Sequence, residues 1–236
     1  MIEYSQFCPL SKTAEVLGEK WTLLVVRELV LGATRFNQIQ RGIPRISPTV
    51  LNARLAELAK RGVILRRRIP EQKGFEYRLT ESGRELYPLL LKMSEWGMRW
   101  ARRGIGEEEL DVEYLMADIR RRIDTGKLPD GRTILKFSYA DLDDFAEWWV
   151  KIDGRSVELC LDDPGYDVDV FFTTDLMTMT EVWMGDLPLK KAQAERRLKI
   201  VGPSALLRNL ASWFPLHMHA GIQRGEMRTT RNRRSS

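Results

Sequence analysis

Residues 47–79 constrain the fold more than any other stretch. Ser47-Pro48-Thr49-Val50-Leu51-Asn52-Ala53-Arg54-Leu55-Ala56-Glu57-Leu58-Ala59-Lys60-Arg61-Gly62 predicts one helix with both ends marked. The Ser47 hydroxyl can accept a first-turn N–H, Pro48 suits the first helical position because its missing N–H costs nothing there, and Gly62 ends the helix. Leu51, Leu55 and Leu58 recur at helical spacing and predict a buried face. Thr49, Ala53, Ala56 and Lys60 point the other way, with Asn52 on the flank. That face is small and polar enough to approach a nucleic-acid groove closely. Arg54 lies near the buried side, where an ion pair within the domain is expected at least as much as a base contact.

Two strands are expected next, Val63–Ile69 and Phe75–Leu79, around the breaker-rich turn Pro70-Glu71-Gln72-Lys73-Gly74. Three short helices precede them. The first starts at Pro9 and stops at Gly18, the second spans 20–31 with Trp21, Leu24, Val25 and Leu29 inward, and the third carries Phe36 and Ile39 and ends at Gly42. Helices, a recognition helix and a hairpin make a winged helix-turn-helix. The hairpin carries Arg66, Arg67, Arg68 and Lys73. Alternation puts Arg66 and Arg68 on one face, where they suit phosphate or the minor groove. A solvated strand edge that repels other strands is the alternative.

Charge is segregated. Residues 1–104 hold 19 Lys/Arg against 10 Asp/Glu, residues 105–223 hold 14 against 22, and residues 224–236 hold five Arg and one Glu. The first part suits a phosphate partner and the second repels one. We therefore expect a DNA-binding and dimerisation domain over 1–104, an acidic domain over 105–223, and a basic, disordered tail over 224–236. There is no run of 18 apolar residues and no basic-then-apolar start, so neither a membrane span nor a secretory signal is expected. Two cysteines make no disulfide framework, which points to the cytoplasm.

Thr80 is expected to cap a long helix running to about Arg103. Its apolar stripe of Leu86, Leu89, Leu90, Met93, Trp96 and Trp100 is too long for a domain of this size. Either a second copy covers it, which sets two recognition helices about one DNA turn apart, or the other half of the chain does.

Cys8-Pro9-Leu10, Gly18-Glu19-Lys20-Trp21, Arg35-Phe36-Asn37, Ile43-Pro44-Arg45-Ile46-Ser47 and Leu51-Asn52-Ala53-Arg54-Leu55 occur in order, followed by Leu58, Gly62, Tyr77, Leu79-Thr80 and Gly83. Over roughly residues 5–103 this pattern resembles the HxlR-type transcriptional regulators. The resemblance implies a homodimeric winged-helix regulator, repressor or activator, on a two-fold double-stranded DNA operator. It places Arg45, Ser47, Thr49 and Asn52 at the groove, with Lys60 on the same helix, Arg66, Arg68 and Lys73 on the wing, and Lys20 and Arg35 at phosphates. Cys8 matches a cysteine that some members use to sense oxidants. Such chemistry needs a thiolate, which a helix N-terminus and nearby Lys12 favour; the alternative is a cysteine that only packs.

In the second half, helix 113–123, strands 133–139, 148–153, 156–162 and 167–173, helices 175–184 and 189–194, strand 198–201 and helix 203–213 predict an α+β domain. Phe171-Phe172-Thr173-Thr174-Asp175-Leu176, Val182-Trp183-Met184-Gly185-Asp186-Leu187, Leu198-Lys199-Ile200-Val201-Gly202 and Leu210, Trp213, Phe214 resemble sterol-carrier-type domains over roughly 130–216. That implies an antiparallel sheet covered by helices, with a tunnel for a small apolar ligand. Met177, Met179, Trp183, Leu206, Leu207, Leu210, Trp213 and Phe214 supply a suitable lining, or else an ordinary core.

No catalytic set emerges. Ser156 and Ser204 lack a base, the carboxylate clusters read as solvated loops and faces, no phosphate loop is present, and His217-Met218-His219 is an incomplete metal site expected at the surface or at a helix end. No enzyme activity, metal or cofactor is expected. The rival reading is a lipid or acyl-chain carrier whose winged helix makes protein contacts.

Overall fold

The computed structural model describes residues 3–70, 74–102, 104–223 and 225. The chain divides into two compact units, 1–94 and 95–236, whereas composition alone changes near 104. No helix among the described residues is long and apolar enough to cross a membrane.

The first unit opens with α1 (Pro9–Leu17), α2 (Thr22–Val30) and α3 (Phe36–Arg41). α2 starts two residues later than the apolar pattern implies, because Trp21 takes a left-handed backbone (φ 78°). Gln38 holds the start of α3 by accepting the N–H groups of Thr34 and Arg35 at 2.9 and 3.0 Å. Next come α4 (Pro48–Lys60) and the antiparallel strands β1 (Ile64–Arg68) and β2 (Phe75–Leu79). Leu51, Leu55 and Leu58 of α4 are buried with Val25, Val26, Leu29, Ile39, Ile64 and Tyr77 in one core. Gly62 (φ 74°) turns the chain from α4 into the hairpin.

α5 (Glu81–Trp96) follows, and Thr80 Oγ1 accepts the Gly83 N–H at 3.2 Å, the expected cap. Gly83 is required there: a Cβ would lie 2.2 Å from the Val63 carbonyl oxygen. The helix does not run on unchanged to Arg103. From Gly97 to Ala101 it becomes a π-helical turn closed by Arg102 N–H to Gly97 O at 2.9 Å.

The second unit carries α6 (Val112–Arg122) and strands β3 (Arg132–Tyr139), β4 (Glu147–Asp153), β5 (Ser156–Cys160) and β6 (Val170–Thr174). Then come α7 (Leu176–Met184), α8 (Leu189–Ala194), β7 (Lys199–Val201), α9 (Ser204–Arg208) and α10 (Leu210–Trp213). The sheet order is β5-β4-β3-β6-β7. The expected fully antiparallel sheet is wrong, because β3 and β6 pair in parallel, Leu135 opposite Val170. The sheet is mixed.

The connection that creates the parallel pair is short for a physical reason. Cys160 ends β5 opposite Trp149, which itself pairs with Lys136, one residue from the start of β6. Residues 161–169 therefore move sideways across about 14 Å, three strand spacings, which nine extended residues reach easily. Asp169 anchors their far end, its carboxylate taking the Ile134 N–H at 2.8 Å.

The helix expected over 203–213 is two helices. Trp213 Nε1–H donates to the Leu206 carbonyl at 3.0 Å, an acceptor that a continuous helix gives to the backbone four residues on.

Candidate nucleic-acid interface

The exposed face of α4 is assembled by its own sequence. Ser47 Oγ accepts the Val50 N–H at 3.3 Å, Pro48 takes the first helical position, and three buried leucines fix the rotation of the helix. Thr49, Asn52, Ala53, Ala56 and Lys60 are left exposed. Arg54 is withdrawn from that face, its Nη2 paired with Glu19 at 3.3 Å. The surface is thus a short polar ridge of two hydrogen-bonding side chains, two alanines and one cation.

The wing sets its cations by register. Ile64, Arg66 and Arg68 stand opposite Leu79, Tyr77 and Phe75. Ile64 and Tyr77 are buried at the root, whereas Arg66 and Arg68 further out are exposed. The Arg66 guanidinium lies over the Phe75 ring at 3.6 Å, which orients it without removing its charge. Arg67 faces the other side of the hairpin, opposite Glu76.

The remaining expected contacts are more scattered. Arg45 is exposed in the turn before α4, and exposed Lys20 lies with Nζ 4.9 Å from the Trp21 ring centroid. Arg35 is half-buried and its backbone bridges Glu76, while Thr34 O accepts the Tyr77 N–H at 2.8 Å. This adds one rung to the edge of β2 and ties Arg35 to the wing. Lys73 lies outside the described residues, as does the basic tail apart from Gly225.

Cys8 is exposed at the cap position of α1, and the backbone N–H groups of Ser11 and Leu10, with the Ser11 hydroxyl, lower its thiol pKa. Lys12 does not serve it as expected; its Nζ is paired with Glu15 at 3.0 Å.

The dimerisation candidates do not share one exposed face, since Leu86 and Leu90 pack against the core of their own unit. Leu89, Met93 and Trp96 are 52%, 51% and 56% exposed, with Leu86, Leu90 and Trp100 half-buried.

A family model, HxlR-like helix-turn-helix, matches residues 16–104. The chain is 39% identical over 98 residues to the HTH-type transcriptional regulator YvaP of Bacillus subtilis (strain 168), covering 41% of this chain and 91% of YvaP. The chain belongs to the HxlR-like helix-turn-helix family. Another B. subtilis HTH-type transcriptional regulator, YdeP, is 36% identical to it over 106 residues, 42% of this chain and 81% of YdeP. The structure of the reduced form of the transcriptional regulator YodB from B. subtilis aligns at 34% identity with TM-score 0.35, covering 39% of this chain and 92% of that one. The HxlR-like segment contains the capped α4 and the arginine-bearing wing.

Of the expected tunnel residues, Met179, Trp183, Leu206, Leu210, Trp213 and Phe214 are buried in one core with Phe137 and Phe172, while Met177 and Leu207 are half-buried. The rings pack tightly, Phe137 on Phe172 at 4.4 Å and Phe172 on Phe214 at 5.2 Å. Beside that core lies a cavity of about 220 Å³, lined by Trp183 alone of the eight. Its lining includes Tyr114, Asp118 and His217, none of which the sequence marked as a ligand contact. The histidine pair lies just past the end of α10 rather than at the surface, the second of the two places expected: His219 is buried and His217 half-buried. Burial pushes the His217 pKa down to about 4, so the imidazole is neutral near pH 7, its Nδ1 accepting the His219 N–H at 3.2 Å.

Proposed function

We propose that this chain is a DNA-binding transcriptional regulator, acting as a homodimer on a two-fold operator and tuned by a small ligand in its second unit. The observation that carries the reading is the α4 ridge. A capped helix turns Thr49 and Asn52 outward, its one central arginine is sequestered by Glu19, and a wing bearing Arg66 and Arg68 follows directly. The likeness to YvaP and YdeP, both described as HTH-type transcriptional regulators, supports it.

In this reading the small Ala53 and Ala56 let α4 sit deep in the major groove, where Asn52 reads an adenine edge. Ser47 and Thr49 flank it, Arg45 and Lys60 bind phosphate at the two ends, and Lys20 and Arg35 add backbone contacts. Arg66 and Arg68, with Lys73 at the tip, follow the adjacent backbone or minor groove. The exposed Leu89, Met93 and Trp96 of α5, with Trp100 in the turn beyond it, are covered by a second copy, as a two-fold operator requires. Residues 1–104 form the DNA-binding and dimerisation domain and 105–223 the ligand domain. The order of strand, helix, glycine turn, helix and strand still supports a sterol-carrier-like kinship for the latter. Cys8, exposed and with a lowered pKa, serves as an oxidant-reactive thiol.

The test is affinity for the chain's own upstream DNA across a salt series. Wild type should bind with a steep salt slope. Asn52→Ala and Arg66→Ala should each abolish specific binding while leaving the oligomeric state unchanged. Wild-type binding by either variant assigns the reading surface elsewhere.

A further inference from the structure

The cavity in the second unit has a definite chemical character. Tyr114, Leu115, Trp183 and Met184 give it an aromatic and apolar wall, and Glu109 and Asp111 lie at its acidic side. At about 220 Å³ it is smaller than the ~300–1,000 Å³ of drug-sized sites. It has room for one ring and a short arm.

Charge bookkeeping around the cavity decides what that arm carries. Asp118 is more than balanced: it takes the Trp183 Nε1–H at 2.8 Å and the Arg122 Nε at 3.2 Å, with Arg121 Nε at 4.0 Å, two guanidiniums against one carboxylate. Arg102 is engaged by Asp186. His217, on the same cavity, is uncharged near neutral pH because it is buried. Glu109 and Asp111 remain. Glu109 accepts the Gly106 N–H at 3.0 Å and Asp111 the Tyr114 N–H at 2.9 Å. Neither forms an ion pair with a cation among the described residues. Two carboxylates with no ion pair to a described cation, beside two aromatic rings, attract a cation both by direct charge and through the ring quadrupoles. An anion is repelled, and a neutral ring gains only the apolar wall.

We propose that this cavity binds a small aromatic ammonium ion, its ring against Tyr114 and Trp183 and its charge toward Glu109 and Asp111. This replaces the purely apolar occupant expected for the tunnel and moves the site to the edge of the core. As a binding site it stands on the second unit alone; as an effector site it rests on the DNA-regulator reading above.

The experiment is calorimetric titration of the full chain with 2-phenylethylammonium, with neutral 2-phenylethanol and with anionic 3-phenylpropanoate. The amine should bind at one site per chain, the alcohol about tenfold more weakly or worse, a difference of ~1.4 kcal/mol, and the anion not at all. Asp111→Asn keeps the helix cap of α6, since Asn caps as well as Asp, and Glu109→Gln keeps the shape. Each should weaken the amine several-fold and leave the alcohol unchanged. Equal affinity for the three compounds, no heat from the amine, or indifference to both substitutions overturns the proposal. DNA affinity measured with and without the amine separates the two readings. Amine binding with unaltered DNA affinity upholds the site and overturns its coupling to DNA. Intact DNA binding without amine binding overturns the site alone.

Discussion

Arg54 Nη2 lies 3.3 Å from Glu19 Oε2, joining the middle of α4 to the turn before α2. Both side chains are about three-quarters buried, so the pair is shielded more than a surface bridge and does more to hold α4 at a fixed angle than to present charge. Arg54→Met should lower stability by about 1 kcal/mol and leave operator sequence preference intact. Chemical denaturation paired with DNA titration checks this. A stable variant with altered base preference makes Arg54 a reading residue instead.

The stripe on α5 has a simpler test. Leu89 and Met93 are half exposed or more, so a charge at either costs the isolated chain little. Across an apolar dimer contact it costs several kcal/mol. Leu89→Asp and Met93→Asp should sediment as folded monomers with unchanged helical content and lose cooperative operator binding. Dimers of wild-type strength place the interface elsewhere.

Much of this was legible in local chemistry. Ser47, Pro48 and Gly62 are end signals that act within a few residues, and Leu51, Leu55 and Leu58 report the buried face directly, so α4 and the hairpin emerge where expected. The failures are non-local. Nothing in residues 167–173 says that Val170 pairs in parallel with Leu135, because the outcome depends on where β5 ends relative to β3. The break between α9 and α10 comes from an indole reaching back to Leu206, not from a helix breaker. Nothing local marks Asp118, yet a tryptophan 65 residues away fixes it in the core.

Cys8 and Cys160 differ in exposure: the first is exposed at a helix N-terminus, the second half-buried on β5. The lowered pKa of Cys8, caused chiefly by the Ser11 N–H, raises its thiolate fraction at neutral pH. Limited alkylation followed by mass spectrometry should label Cys8 well before Cys160. Equal rates remove the case for a reactive thiol.

His217 makes stability depend on pH with a definite sign. Burial holds its folded pKa near 4, against 6.5 unperturbed, so the unfolded chain binds the extra proton between those values. Its contribution is complete above about pH 6.5 and is lost as pH falls toward 4, up to ~3 kcal/mol. His217→Asn, whose side-chain oxygen can accept the His219 N–H in place of Nδ1, should flatten this part of the acid limb relative to wild type in urea melts. Parallel acid limbs contradict the assignment.

In the proposed function, α4 and the wing read DNA as a two-fold pair. A footprint of the purified full chain on DNA flanking its own gene, at near-physiological salt, addresses it directly. Two protected half-sites about one helical turn apart are expected, both lost together in Asn52→Ala. A single protected site, or protection that survives that substitution, contradicts it.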